Sequence, residues 1–309
     1  MTTILSISGP TASGKSALSV AVAKSLKDKG VGAQIVSCDS MQIYKKMNIG
    51  TGKITTEEMA GVPHHLLDVL DPCERCSLAD FTALAHGAID RVAAAGDLPI
   101  LCGGTGLYLD NVLFDTTLSD APADEELRMK LEELESGELH ARLAAVDPQS
   151  AEAIHPNNRK RVIRALEIYL LTGRTKSDWD ASSRVKKSRY NAKRVHLICK
   201  DREILYDRIN RRVDGMFDEG LEKEVKALFE GTLSDTAAGA IGYKEFLPYF
   251  RGECTLKEVK EQVKQASRNY AKRQLTWFKK EQEGALLLDC TLENDQKIDR
   301  ILSFLKEEE

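Results

Sequence analysis

Eight residues near the N-terminus constrain this chain more than any other stretch: Gly9-Pro10-Thr11-Ala12-Ser13-Gly14-Lys15-Ser16. They follow a short apolar run, Ile4-Leu5-Ser6-Ile7-Ser8, and lead into an Ala/Val/Leu pattern with helical spacing, Ala17 to Leu26. This satisfies G-x-x-x-x-G-K-[ST] in full, in the strand, loop and helix context that the pattern requires. Backbone N–H groups of such a loop, gathered at a helix N-terminus, surround a diphosphate. Lys15 adds a positive charge, and the Ser16 hydroxyl is suited to ligate Mg²⁺. The loop identifies a diphosphate but not the chemistry done on it.

Further strands are expected at Gln34–Cys38, Leu98–Cys102 and Val195–Cys199, with helical segments between them. Strands alternating with helices imply an α/β fold, a phosphate-loop parallel sheet flanked by helices. From about Thr117 to Tyr190 the pattern turns helical without strands, over Asp124–Glu135, Glu138–Ala145 and Asn158–Leu171. The expected organisation is therefore a core of residues 1–116 and 193–309 carrying a helical insertion of residues 117–192. Pro122 and the Ser/Lys/Arg-rich Ser182–Arg189 read as its hinges. Helical spacing resumes at Ile204–Phe217, Glu219–Glu230 and Leu256–Lys280.

A net charge of −4 argues weakly against a nucleic-acid partner, but the charge is segregated. Residues 159–212 hold 17 Lys/Arg against 6 Asp/Glu, a balance of +11 that leaves −15 on the rest of the chain. Such a stretch can supply phosphate contacts to a nucleic acid, or it can be a solvated helical surface. No apolar run reaches the roughly 18 residues of a membrane span. Seven cysteines, an odd and scattered set, fit reduced thiols in a cytoplasmic protein better than a disulfide framework.

Most proteins with such a loop hydrolyse ATP or transfer its phosphate, so a small-molecule kinase is the default reading. Two further stretches bear on it. Asp39-Ser40-Met41-Gln42 follows the second strand, at the sheet edge where α/β ligands bind, although Asp39 could also be a plain N-cap. Gly103-Gly104-Thr105-Gly106 follows the third strand at the same edge, or is a tight turn.

GPTASGKS, DSMQIYKKMNIGTGK, PHHLLDVLDP and CGGTGLYLDNVLF, in that order, resemble the tRNA dimethylallyltransferases. HPNNRKRVIRALEIYLLTGR, LYDRINRRVDGM, AIGYKEF and SRNYAKRQLTWFKK extend the resemblance over about nine tenths of the chain. It implies a Mg²⁺-assisted reaction in which N6 of the adenosine beside the anticodon attacks C1 of dimethylallyl diphosphate and releases pyrophosphate. Asp39 then matches the general base, Thr105 the threonine lining the channel where the substrates meet, and Arg212 the arginine holding the diphosphate. Arg208, one turn before Arg212, faces the same way on an ideal helix. The resemblance also implies tRNA contacts by Asp39, Ser40, Met41, Gln42, Thr105 and Arg128, and by Lys160, Arg161, Val162, Ile163 and Arg164. Glutamine is frequent in the family where Lys160 stands. A monomer gripping the anticodon arm is expected, with an adenylate isopentenyltransferase, a kinase or a non-catalytic RNA adaptor as alternatives. Cys73-x-x-Cys76 has no second ligand pair for zinc, His64-His65 reads as structural or ligand-adjacent rather than metal-binding, and Trp277 shares a helical stripe with Tyr270.

Overall fold

The apolar runs assemble into one six-stranded sheet in which every pairing is parallel. The structure is a computed structural model describing residues 1–114, 124–182, 188–280 and 282–307. In chain order the strands are β1 (Thr3–Ser8), β2 (Ala33–Ser37), β3 (His64–His65), β4 (Leu98–Gly103), β5 (Asn191–Ile198) and β6 (Ala285–Asp289). Their spatial order is β3-β2-β4-β1-β5-β6.

β3 and β6 go beyond the four strands expected. β3 is only two residues long, too short to carry a period, and β6 is a brief Leu-rich run at the sheet edge. β5 begins at Asn191, inside the expected insertion, because its first four residues, Asn-Ala-Lys-Arg, show no apolar alternation yet pair with β1 from Thr3 onward.

β1 is buried from Ile4 through Ser8, as a central parallel strand covered on both faces must be. The phosphate-loop helix Lys15–Asp28 and the helix Asn294–Lys306 cover one face, where Leu18, Val22 and Ile301 join Leu5, Ile100 and Leu288 in one apolar cluster. The helix Leu78–Ala94 buries Phe81, Ala85 and Ile89, and a reciprocal Ser77/Asp80 capping box fixes its start. Since all strands run the same way, the segments that follow β1, β2 and β4 emerge along one edge of the sheet.

The chain divides into two compact units, residues 1–113 with 188–309, and residues 114–187. The second is helical, with Glu125–Glu132, Ser136–Val146, Pro148–Ala153, Arg159–Thr172 and Lys176–Ser182. Its own core contains Leu131, Leu139, Leu143, Val162 and Leu166. Pro122 and residues 183–187, expected as hinges, lie outside the described residues. Among the described residues no helix is long and apolar enough to cross a membrane.

The expectation of seven reduced thiols is corrected at one place. Cys199 and Cys290 form a disulfide, with Cα atoms 5.3 Å apart. They are the residues that follow Ile198 and Asp289, which pair across β5 and β6, so the sheet itself sets them opposite one another.

Candidate active site

The loop after β1 keeps its helix end open. Gly14 adopts φ 87°, a left-handed conformation that favours glycine, and no side chain caps the helix that begins at Lys15. Its first-turn N–H groups therefore remain available to an anion. Ser13 Oγ is buried without a partner among the described residues.

Thr11, Ala12, Gly14, Lys15 and Ser16 line a cavity of about 1230 Å³, together with Asp39, Ser40, Met41, Gln42 and Arg212. Two sequence-distant cations thus share one wall. Arg212 donates to Thr11 Oγ1 at 2.7 Å and to the carbonyls of Thr51 and Gly52 at 3.3 and 3.4 Å, all neutral acceptors. Burial lowers the Arg212 guanidinium from its usual range, against the opposing pull of Asp39. Burial likewise lowers Lys15, and the like charge of Arg212 adds to the effect. Positive charges set in a cavity wall without a carboxylate in contact are arranged for an incoming anion.

Asp39 forms an Asx turn rather than a helix cap. Its Oδ1 accepts from the N–H groups of Met41 and Gln42, at 2.9 and 3.3 Å. Its Oδ2 has no hydrogen-bond partner among the described residues, so the turn orients the carboxylate and leaves one oxygen for chemistry. The Gln42 amide donates to the carbonyls of Thr51 and Gly52 and is held by the same loop as Arg212.

Thr105 lies just before the helix Gly106–Leu113 and its hydroxyl is 3.3 Å from Tyr270 Oη. Tyr270 itself lines the cavity, while Thr105 does not. Burial, and then the charge of Asp39, push the Tyr270 phenol up to about 12, so it stays protonated as a donor. Arg208 also lines the cavity, but its guanidinium donates to the Cys290 carbonyl at 3.4 Å and not toward Arg212's partners. Ile209, Val213, Met216 and Val263 supply an apolar stretch of wall.

Gln274 is a site residue that sequence reasoning passed over. Its side chain accepts from Thr11 N at 2.8 Å and donates to Gly104 O at 2.9 Å, tying the two glycine-rich loops together. A signal existed: Gln274 falls on the buried stripe of Val259, Val263, Ala271 and Phe278 along the Leu256–Lys280 helix, where an apolar residue is the norm.

In the helical unit the candidate residues separate by environment. Lys160 and Arg161 are exposed, while Val162 and Ile163 are buried in the unit's core. Arg128 makes two bonds to the fully buried Glu167, at 2.8 and 3.0 Å, and Arg164 a third at 2.6 Å. Burial alone would raise Glu167; the bonds from Arg128, Asp124 N and Arg164 outweigh it and hold the carboxyl below its ordinary range. Among the described residues no group of three or more His, Cys, Asp or Glu is placed to hold a metal ion.

The sequence model of a family described as IPP transferase matches residues 42–281, and one described as isopentenyl transferase matches residues 2–71. A tRNA dimethylallyltransferase of Geobacillus thermodenitrificans is 50% identical over 281 residues, covering 89% of this chain and 87% of that protein. The tRNA dimethylallyltransferase of Bacillus subtilis is 50% identical over 276 residues, with coverage of 88% and 86%. Among solved structures, the tRNA isopentenylpyrophosphate transferase of Bacillus halodurans aligns at a TM-score of 0.73 and 45% identity, over 99% of this chain and 96% of that one. A eukaryotic dimethylallyltransferase acting on tRNA aligns at 0.82 and 29% identity, over 100% and 82%. A phosphate loop facing an oriented carboxylate, relatives at half identity and a family match across most of the sequence converge: the chain belongs to the tRNA dimethylallyltransferase family.

Proposed function

We infer that the protein transfers the dimethylallyl group of dimethylallyl diphosphate to N6 of the adenosine beside the anticodon of tRNA. The observation that carries this reading is the single cavity lined by Lys15, Arg212 and Asp39, in which, among the described residues, neither cation bonds a carboxylate and Asp39 Oδ2 has no hydrogen-bond partner. The C1–O bond to the diphosphate breaks, the N6–C1 bond forms, and Asp39 accepts the N6 proton. Pyrophosphate leaves into the phosphate loop, where open helix N–H groups, Lys15 and Arg212 stabilise the developing charge. The apolar wall of Val213, Met216 and Val263 suits the five-carbon chain. An adenine amino group is a weak nucleophile, and base assistance of this kind is worth roughly 10² to 10⁴ in rate.

Mg²⁺ fits the donor set. The Ser16 hydroxyl, in the cavity lining, would hold the ion beside the diphosphate, with waters completing its shell. When bound it neutralises charge on the leaving group.

In the helical unit Lys160 and Arg161 are exposed cations that would meet tRNA phosphates. Arg128 and Arg164, held by Glu167, present their guanidinium charge to the RNA backbone. We place the enzyme in the cytoplasm as a monomer that grips the anticodon arm. The test is transfer of radiolabelled dimethylallyl from its diphosphate to unmodified tRNA with Mg²⁺, beside AMP as acceptor and ATP as donor. Label on tRNA and none on AMP is expected. Label on AMP alone makes the protein an adenylate isopentenyltransferase, and phosphate transfer from ATP without prenylation overturns the reading.

A further inference from the structure

We propose that Glu224, a residue outside the cavity lining, is a positioning residue that fixes the 48–52 loop so that its carbonyls hold Arg212 and Gln42 in place. Glu224 lies on the helix Leu221–Phe229. Its carboxylate accepts from three consecutive backbone donors: Asn48 N at 2.9 Å, Ile49 N at 2.8 Å and Gly50 N at 3.0 Å. Tyr243 Oη donates a fourth bond at 2.7 Å. Four donors saturate the acceptor sites of one carboxylate. Successive N–H groups converging on a point form a concavity that takes an anion, and here the chain supplies its own.

The next two residues of the same loop reach the site. Thr51 and Gly52 turn their carbonyls to the Arg212 guanidinium and to the Gln42 amide. Arg212 is therefore oriented by neutral acceptors while the carboxylate that organises them bonds the loop's N–H groups and not the guanidinium. A carboxylate in direct contact would orient Arg212 equally well but would cancel the charge the diphosphate needs. Gly50 is required for the arrangement, because a Cβ there would meet the Tyr243 ring at 2.5 Å. Tyr243 is buried, and burial followed by the charge of Glu224 raises its phenol, which keeps the donor protonated.

The inference rests on the diphosphate reading of the site, and the test separates the two. Binding of inorganic pyrophosphate with Mg²⁺ is measured by calorimetry on the full chain, beside tRNA binding, the KM for dimethylallyl diphosphate and the melting temperature. Glu224→Gln puts an NH₂ among N–H donors and should weaken pyrophosphate binding and raise the allyl-diphosphate KM by tenfold or more, with tRNA affinity changed less than threefold. Glu224→Asp should recover part of the loss. Tyr243→Phe should cost about threefold alone and nothing further in the Glu224→Gln background, since both act through one carboxylate. Wild-type pyrophosphate affinity in Glu224→Gln overturns the inference while leaving the functional reading intact. Should Glu224→Gln not fold, Glu224→Asp and Tyr243→Phe carry the test, and unchanged pyrophosphate affinity in both overturns the inference. No pyrophosphate binding by the wild type overturns both.

Discussion

Replacing Arg212 by methionine should separate stability from ligand binding in a way few substitutions do. In the free protein the guanidinium, among the described residues, hydrogen-bonds to a hydroxyl and two carbonyls, and it shares the cavity wall with Lys15. Methionine gives up three hydrogen bonds to neutral groups, each worth roughly 0.5–1.5 kcal/mol net. It also relieves the desolvation of a cation and its repulsion from Lys15. These terms oppose, so the free protein should keep its stability to within about 1 kcal/mol. With a diphosphate bound the balance changes. A unit charge about 4 Å from a phosphate oxygen gains about 4 kcal/mol at an effective dielectric of 20. A charge-assisted hydrogen bond, with its neutral partners given up, sets a lower figure near 2 kcal/mol. Pyrophosphate affinity should therefore fall roughly 30- to 1000-fold, at 1.36 kcal/mol per factor of ten. Titration calorimetry with Mg²⁺-pyrophosphate and thermal unfolding of the free protein read the two quantities. A loss below threefold in affinity would refute the charge argument. A fall in melting temperature beyond about 4 °C would show Arg212 to be structural.

Four other outcomes follow from the same geometry. Asp39→Asn should cut single-turnover transfer roughly 10²- to 10⁴-fold and leave pyrophosphate binding at or above wild type, read by rapid quench and calorimetry. Gln274→Leu strands Thr11 N and Gly104 O and should cost about 2–4 kcal/mol in urea unfolding. Glu167 is held below its ordinary value in the folded chain, so its contribution is present above pH 4.5 and is lost as pH falls below that through the folded value. Hydrogen exchange of the Arg159–Thr172 helix should accelerate over that acid range in the wild type, and already at neutral pH in Glu167→Gln. Lys160→Ala with Arg161→Ala should reduce the salt slope of tRNA binding by about 1.5–2 and leave pyrophosphate binding alone, read by filter binding between low and moderate salt.

What was legible in the sequence was what is local. The phosphate loop, the carboxylate of Asp39 after β2 and the glycines before Thr105 each announce themselves within a few residues, because strand, turn and helix chemistry act at short range, while the Asx turn that Asp39 makes in place of a helix cap did not. Gln274 was not legible, since its meaning lies in two backbone groups separated from it by most of the core sequence. Arg128 and Arg164 read as tRNA contacts through the resemblance, and only the fold shows that both bond to the buried Glu167. β6 escaped because a five-residue edge strand carries little pattern, and the Cys199–Cys290 bond escaped with it, since strand register alone brings the two together.

The strand order carries a consequence for synthesis. β1 leaves the ribosome first, yet its partner on one side is β5, made only after the helical unit. Until then residues 1–113 can assemble a half-sheet, β3-β2-β4-β1, with β1, buried from Ile4 to Ser8 in the finished fold, at its open edge. At about 5–20 residues per second that edge waits on the order of 4–15 s. An unpaired apolar edge is a template for strand addition by other chains. Nascent chains stalled within the helical unit should therefore be the aggregation-prone, chaperone-binding species of this protein, and the same sheet, once β5 is in place, buries the strand that had been its hazard.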